Sequence, residues 1–126
     1  MDILIVDDSE PIRETFRKLF EKYEELLFIE AKDGQEALEI LKSNKSISLI
    51  ICDIKMPVMD GFTLLEKVSS DQELKTIPFF FHTTEMSPTK QKLAKKLGAK
   101  AWLPKPFKER QMIAVIQQAL KITLPN

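Results

Sequence analysis

One cysteine, one histidine and three glycines are all that 126 residues carry of the types most used for disulfides, zinc sites, catalytic triads and phosphate loops. The lone Cys52 excludes an internal disulfide and a cysteine-rich zinc site, and reads as a small buried residue. His82 stands between Phe81 and Thr83 in an apolar stretch, nothing resembling a triad accompanies it, and it reads as a packing residue. Charge of one sign is missing too: nineteen basic side chains balance nineteen acidic ones, which gives no bulk attraction for nucleic acid or a membrane. No apolar run approaches the length that spans a bilayer. The N-terminus carries an acid at Asp2 and begins a strand-like run, unlike a signal peptide. The simplest expectation is a cytoplasmic protein with one domain over 1–126, free of internal repeats and linkers.

What is present suits a globular core. Hydrophobic residues make up 44% and charged residues 30%, an ordinary mixture that 126 residues can fold around a real interior. Short aliphatic runs alternate with amphipathic segments. Strands are predicted at Asp2–Val6, Leu27–Ala31, Ser48–Asp53, Pro78–His82 and Lys100–Leu103, apolar over consecutive residues as parallel strands covered on both faces are. Helices are predicted at Glu10–Tyr23, Gly34–Ser43, Gly61–Ser70, Pro88–Leu97 and Phe107–Ile122. Ser9, Asp60 and Ser87 are candidate N-caps, with Pro11 and Pro88 in first turns, and Gly98 is a helix stop. Five βα pairs in series predict a parallel sheet wrapped by helices.

The stretch ILIVDDSEPIR raises the chemical question. Four aliphatic residues run into Asp7 and Asp8, and the nearest Lys or Arg along the chain is Arg13. Paired like charges at the end of an apolar run are unfavourable without a compensating partner. Ligands of open α/β sheets bind outside the carboxyl ends of the strands, where strand order reverses. Asp53 ends the third candidate strand, Thr83 and Thr84 follow the fourth, and Lys105 follows the fifth. If the order is 2-1-3-4-5, three carboxylates meet at one edge. A hard cation such as Mg²⁺ would neutralise them through one or two carboxylates and water, leaving one acid free. That acid can attack a phosphoryl donor, with a lysine clamping the phosphoryl oxygens and a hydroxyl bonding one of them.

These residues resemble the receiver domains of two-component response regulators, over nearly the whole chain. VDDSEPIR is similar to the family's acidic pair, CDIKMPVMDGF to its phosphoacceptor motif, HTT to its switch-hydroxyl region and GAKAWLPKPF to its lysine-proline ending. The resemblance implies a flavodoxin-like (βα)5 fold of order 2-1-3-4-5. It implies Asp53 as phosphoacceptor, with Mg²⁺ on Asp7, Asp8, Asp53 and the backbone carbonyl of Lys55. It further implies Thr83 and Lys105 on the phosphoryl oxygens, Trp102 at the switch-aromatic position, and a cis Lys105–Pro106 bond. The donor would be a histidine kinase or histidine phosphotransfer protein. Lys55 and Glu85 fall at the two positions that tune hydrolysis, and their opposite charges predict an ion pair across the pocket mouth.

Three departures from the family stand out. Trp102 replaces the usual Tyr or Phe, so an inward ring needs a larger pocket beneath Thr83. Thr84 replaces Ala or Gly and adds bulk beside the site. Pro104 has no amide to donate and should limit pairing at its strand's end. The fourth helix is basic, through Lys90, Lys92, Lys95 and Lys96, either as a solvated face or for an acidic protein. The last helix carries two apolar stripes, Met112, Val115, Ala119 and Ile122 beside Ile113, Ile116 and Leu120, where one suffices for packing on a sheet. The surplus points to a downstream protein or a second copy of the chain, on the face of the fourth helix, fifth strand and last helix. No further domain follows Asn126 in this sequence, so protein contact is the expected output. Two rival readings share the architecture. A Mg²⁺-dependent phosphatase or phosphotransferase would need an insertion long enough for a cap, and a flavodoxin-like cofactor binder would need a phosphate-cradling loop.

Overall fold

The computed structural model describes residues 1–125. Ten elements alternate: β1 (Asp2–Val6), α1 (Glu10–Glu21), β2 (Leu27–Ala31), α2 (Gly34–Ser43), β3 (Ile47–Cys52), α3 (Gly61–Ser70), β4 (Phe79–Thr83), α4 (Pro88–Leu97), β5 (Ala101–Pro104) and α5 (Glu109–Leu120). All strand pairs are parallel, and the sheet runs β2-β1-β3-β4-β5.

The aliphatic runs explain this layering. Ile3, Leu4, Ile5 and Val6 are all buried because β1 is covered on both faces. Leu4 and Val6 pack with Leu41, Leu64, Leu65 and Ala94, so α2, α3 and α4 cover one side. Ile3 and Ile5 pack with Phe16, Leu19, Met112 and Ile116, so α1 and α5 cover the other. Each such side chain contributes about 1.5–3 kcal/mol on full burial.

The caps form as their residues require. Ser9, Asp60 and Ser87 accept from the amides of Ile12, Thr63 and Lys90, and Gly98 closes α4 at φ 112°. Asp33 caps α2 in the same way, at 2.8 Å from the Glu36 amide. Where boundaries differ from the sequence expectation, they move by one or two residues. Asp53 stands just outside β3, and β4 extends to Thr83. The terminal turns at Lys22–Tyr23 and Phe107–Lys108 leave the helices early.

Pro104 does not curtail pairing: it sits opposite Thr83, and the Lys105 amide then donates to the Thr83 carbonyl at 3.0 Å. An edge strand tolerates proline because its missing N–H would point away from the sheet. Nor do the α5 stripes stand free. Ile113, Val115, Ala119, Leu120 and Ile122 all pack against the α1 side of the core, and buried Leu124 folds back with its amide on Gln117 Oε1.

Candidate functional site

β1 and β3 lie side by side with Val6 opposite Cys52, so the residues after them leave the sheet together. Asp7, Asp8 and Asp53 each offer a carboxylate oxygen, and these atoms lie within 4.8 Å of one another. Asp7 is buried, Asp53 half-buried and Asp8 exposed, which grades the cluster from interior to solvent. Three hard oxygen donors with one solvent-facing side suit Mg²⁺, which retains water while taking few carboxylates.

The acids are individually held. Asp53 Oδ1 accepts from the Ile54 amide at 2.7 Å and Asp7 Oδ1 from the Ser9 amide at 2.9 Å. Lys105 bridges the remaining oxygens, at 2.8 Å from Asp53 Oδ2 and 2.9 Å from Asp7 Oδ2. Burial pushes the Asp7 carboxyl above its ordinary range, against the hydrogen bonds from Lys105 and Ser9. Burial acts on Lys105 in the opposite sense to its partners, but Asp53 and Asp7 prevail and hold the ammonium charged above its usual value. Lys105 is the resident counterion of the acidic edge. The Lys105–Pro106 peptide is cis.

Gly61 lets the β3–α3 loop close under this edge. A Cβ there would stand 2.2 Å from the Asp53 carbonyl oxygen and 2.8 Å from the Phe81 ring. The Gly61 amide instead donates to the Ile54 carbonyl at 2.8 Å. The loop's tip bends at Val58, whose φ of 68° accompanies a tight Met59 amide to Pro57 carbonyl contact of 2.7 Å.

Around the mouth the expected residues fall out differently. Thr83 is buried, and its hydroxyl accepts from the Glu85 amide at 3.1 Å while its own proton remains available to donate. Trp102 turns partly inward: its ring meets Phe81 edge-on at 5.6 Å, and Nε1 donates to the Glu85 carbonyl at 3.1 Å. The Lys55–Glu85 pair is a correction. Glu85 is paired with Lys90 at 3.2 Å, and that hydrogen bond leads the lowering of its carboxyl below the usual range. Lys90 prevails because it rises from the first turn of α4 directly beside Glu85, whereas Lys55 is exposed and contributes only a weak long-range field. Thr84 is exposed.

His82 lies on the opposite face from Thr83, wedged against Phe16 at 5.1 Å and Phe107 at 5.6 Å. Neither ring nitrogen has a hydrogen-bond partner, and burial, aided by Lys105, pushes its pKa down to about 4. It packs, as its apolar neighbours imply. Sequence reasoning passed over Arg13, whose Nη1 donates to the Asp7 carbonyl at 2.7 Å. Its one signal was being the nearest base to the acidic pair.

The whole carboxyl edge now has its order: acids after β1 and β3, a hydroxyl ending β4, an ammonium after β5. The model of the response regulator receiver domain matches residues 3–117. The chain belongs to that family. It is 35% identical over 126 residues to chemotaxis protein CheY1 of Helicobacter pylori, covering 98% of this chain and 97% of that protein. The structure of chemotaxis protein CheY4 of Vibrio cholerae superposes with a TM-score of 0.86 at 34% identity, covering 94% and 98% of the two chains. The sensor histidine kinase CheAY of Helicobacter pylori matches at 29% over 121 residues, within 15% of its length. As a receiver domain the protein is a phosphoacceptor of two-component signalling, a class of signalling modules rather than metabolic enzymes. Among the described residues no helix is long and apolar enough to cross a membrane.

Proposed function

We propose that Asp53 is the phosphoacceptor of a single receiver unit spanning 1–126, charged by a histidine kinase or a histidine phosphotransfer protein in the cytoplasm. The observation that carries this reading is the bridging of Asp53 and Asp7 by Lys105, with Asp8 completing an all-oxygen cluster open to solvent. A carboxylate oxygen of Asp53 attacks phosphorus, the phosphorus–nitrogen bond of the donor phosphohistidine breaks, and the imidazole leaves with a proton from solvent. Asp7, Asp8, Asp53 and the Lys55 carbonyl would hold Mg²⁺. When bound, the ion supplies positive charge to the acidic edge and to the phosphoryl oxygens.

The chain's own groups do the rest. Lys105 moves from Asp53 Oδ2 to a phosphoryl oxygen, and the Thr83 hydroxyl donates to another. Because Thr83 and Trp102 both bind Glu85, their rearrangement is the switch, read out on the face of α4, β5 and α5. That face has an open groove of about 670 Å³ between α4 and Trp102, with Lys92 and Lys95 on its rim. A downstream protein, or a second copy of the chain, is its proposed occupant. Lys55 and Glu85 flank the pocket as hydrolysis-tuning positions, Glu85 together with Lys90. Turnover of an external substrate is not part of this proposed role, nor is direct contact with nucleic acid or with a membrane.

Incubation with acetyl phosphate should give one phosphoryl adduct by intact mass, dependent on Mg²⁺ and absent in Asp53→Ala. An adduct that persists in Asp53→Ala, or multiple turnover of a phosphate monoester, would overturn the assignment.

A further inference from the structure

We infer that Arg13 is a positioning residue for the metal: its guanidinium fixes the peptide plane that joins Asp7 to Asp8, and thereby aims both carboxylates. This rests on the proposed metal-binding role of those acids. The Asp7 carbonyl belongs to the planar unit linking the two residues, so whatever holds that oxygen also sets the direction in which Asp8 leaves it. Arg13 Nη1 donates to it at 2.7 Å. Asp7 is 2% exposed, so without this donor its carbonyl would stand buried away from solvent with one strong partner fewer.

The guanidinium is itself rigidly held. Its Nε donates to Glu30 Oε1 at 2.7 Å, and Glu30 also receives Arg17 Nη2 at 2.8 Å. Glu30 sits in β2 opposite Ile5 of β1, two residues before Asp7, so the clamp is referenced to the sheet rather than to a loop. The Arg13 side chain is only 15% exposed. Its Glu30 partner offsets its charge, so orientation is its main contribution to the acidic edge. The planar fork of arginine suits this double duty, and a lysine ammonium does not reproduce it.

Metal affinity, not phosphorylation, is the deciding measurement. Mn²⁺ binding is read from the electron paramagnetic resonance signal of the free ion, with Mg²⁺ competition, on chains whose cooperative thermal unfolding shows them folded. Arg13→Gln should weaken both ions about tenfold, the ordinary cost of losing a group that orients a ligand. Arg17→Gln breaks an ion pair to the same Glu30 without touching the Asp7 carbonyl, and should lower stability while leaving affinity unchanged within error. Parental affinity in Arg13→Gln overturns the inference, as does an equal loss in Arg17→Gln, which would assign the effect to helix anchoring. If Arg13→Gln does not fold, Arg13→Lys replaces it: reduced affinity supports the role and parental affinity overturns it. A parent chain that takes up neither ion overturns the proposed function and this role together, whereas uptake by the parent with an unaffected Arg13→Gln overturns this role alone.

Discussion

His82 shows how a side chain that takes no part in phosphoryl transfer still sets a property of the protein. Folded, it stays neutral down to about pH 4; unfolded, it binds a proton below its ordinary 6.5. As pH falls through that interval the unfolded state gains protons that the folded state refuses, so stability drops, by about 3 kcal/mol in all. Asp7, raised by burial, has the opposite slope and is common to parent and variant. Urea unfolding of His82→Leu at pH 7 and pH 4.5 should show a much smaller acid loss than the parent, and an identical loss would show that His82 finds a partner. Asp7, Asp8, Asp53 and Lys105 were legible in the sequence because acids at the ends of apolar runs are conspicuous. Arg13 was not, since an arginine in a first helical turn looks like any solvated base until the fold turns it back onto a carbonyl. Glu85 misled for a related reason: charge identifies a class of partners, and only the direction of α4 selects Lys90.

Secondary elements were legible to within a turn, because apolar runs on a sheet covered on both faces differ so plainly from amphipathic helices. Their ends were not, since hydrogen bonding beyond the last strand residue decides them: the Asp53 amide still donates to the Val6 carbonyl at 2.9 Å, outside β3 itself. The junction between β3 and α3 is the least forgiving. Gly61→Ala places a methyl group against the Asp53 carbonyl and the Phe81 ring, so the backbone or the buried ring must shift. The expected cost is about 2–3 kcal/mol, as for other overpacked sites. Denaturant melts should record it together with a slower rise of the phosphoryl adduct, because the carbonyl pressed by the methyl belongs to Asp53, the proposed acceptor. Unchanged stability would show that the loop yields.

For the molecule as a whole, a cation that binds only the folded chain must stabilise it. At one hundred times its dissociation constant Mg²⁺ should add about 2.7 kcal/mol, visible as a raised Tm. Asp8→Ala should remove most of that gain while leaving the metal-free Tm close to the parent, because Asp8 is exposed. A gain of the same size in Asp8→Ala would place the ion elsewhere. Switching from 1:99 to 99:1 takes about 5.5 kcal/mol of differential stabilisation. In the proposed switch, new charge-assisted hydrogen bonds from Lys105 and Thr83 to one phosphoryl group, at about 1.5–3 kcal/mol each, are of that order.

Glu85 meets three neighbours with three different parts of itself: its amide reaches Thr83, its carbonyl Trp102, its carboxylate Lys90. Pocket, edge strand and outer helix therefore share a single plate, and in the proposed switch no long relay of side chains separates the chemical event from the surface proposed to report it. Such economy has a corollary. Whatever grips α4 from outside tugs on the same plate, so a docked protein ought to slow or hasten phosphoryl exchange as surely as phosphorylation alters docking.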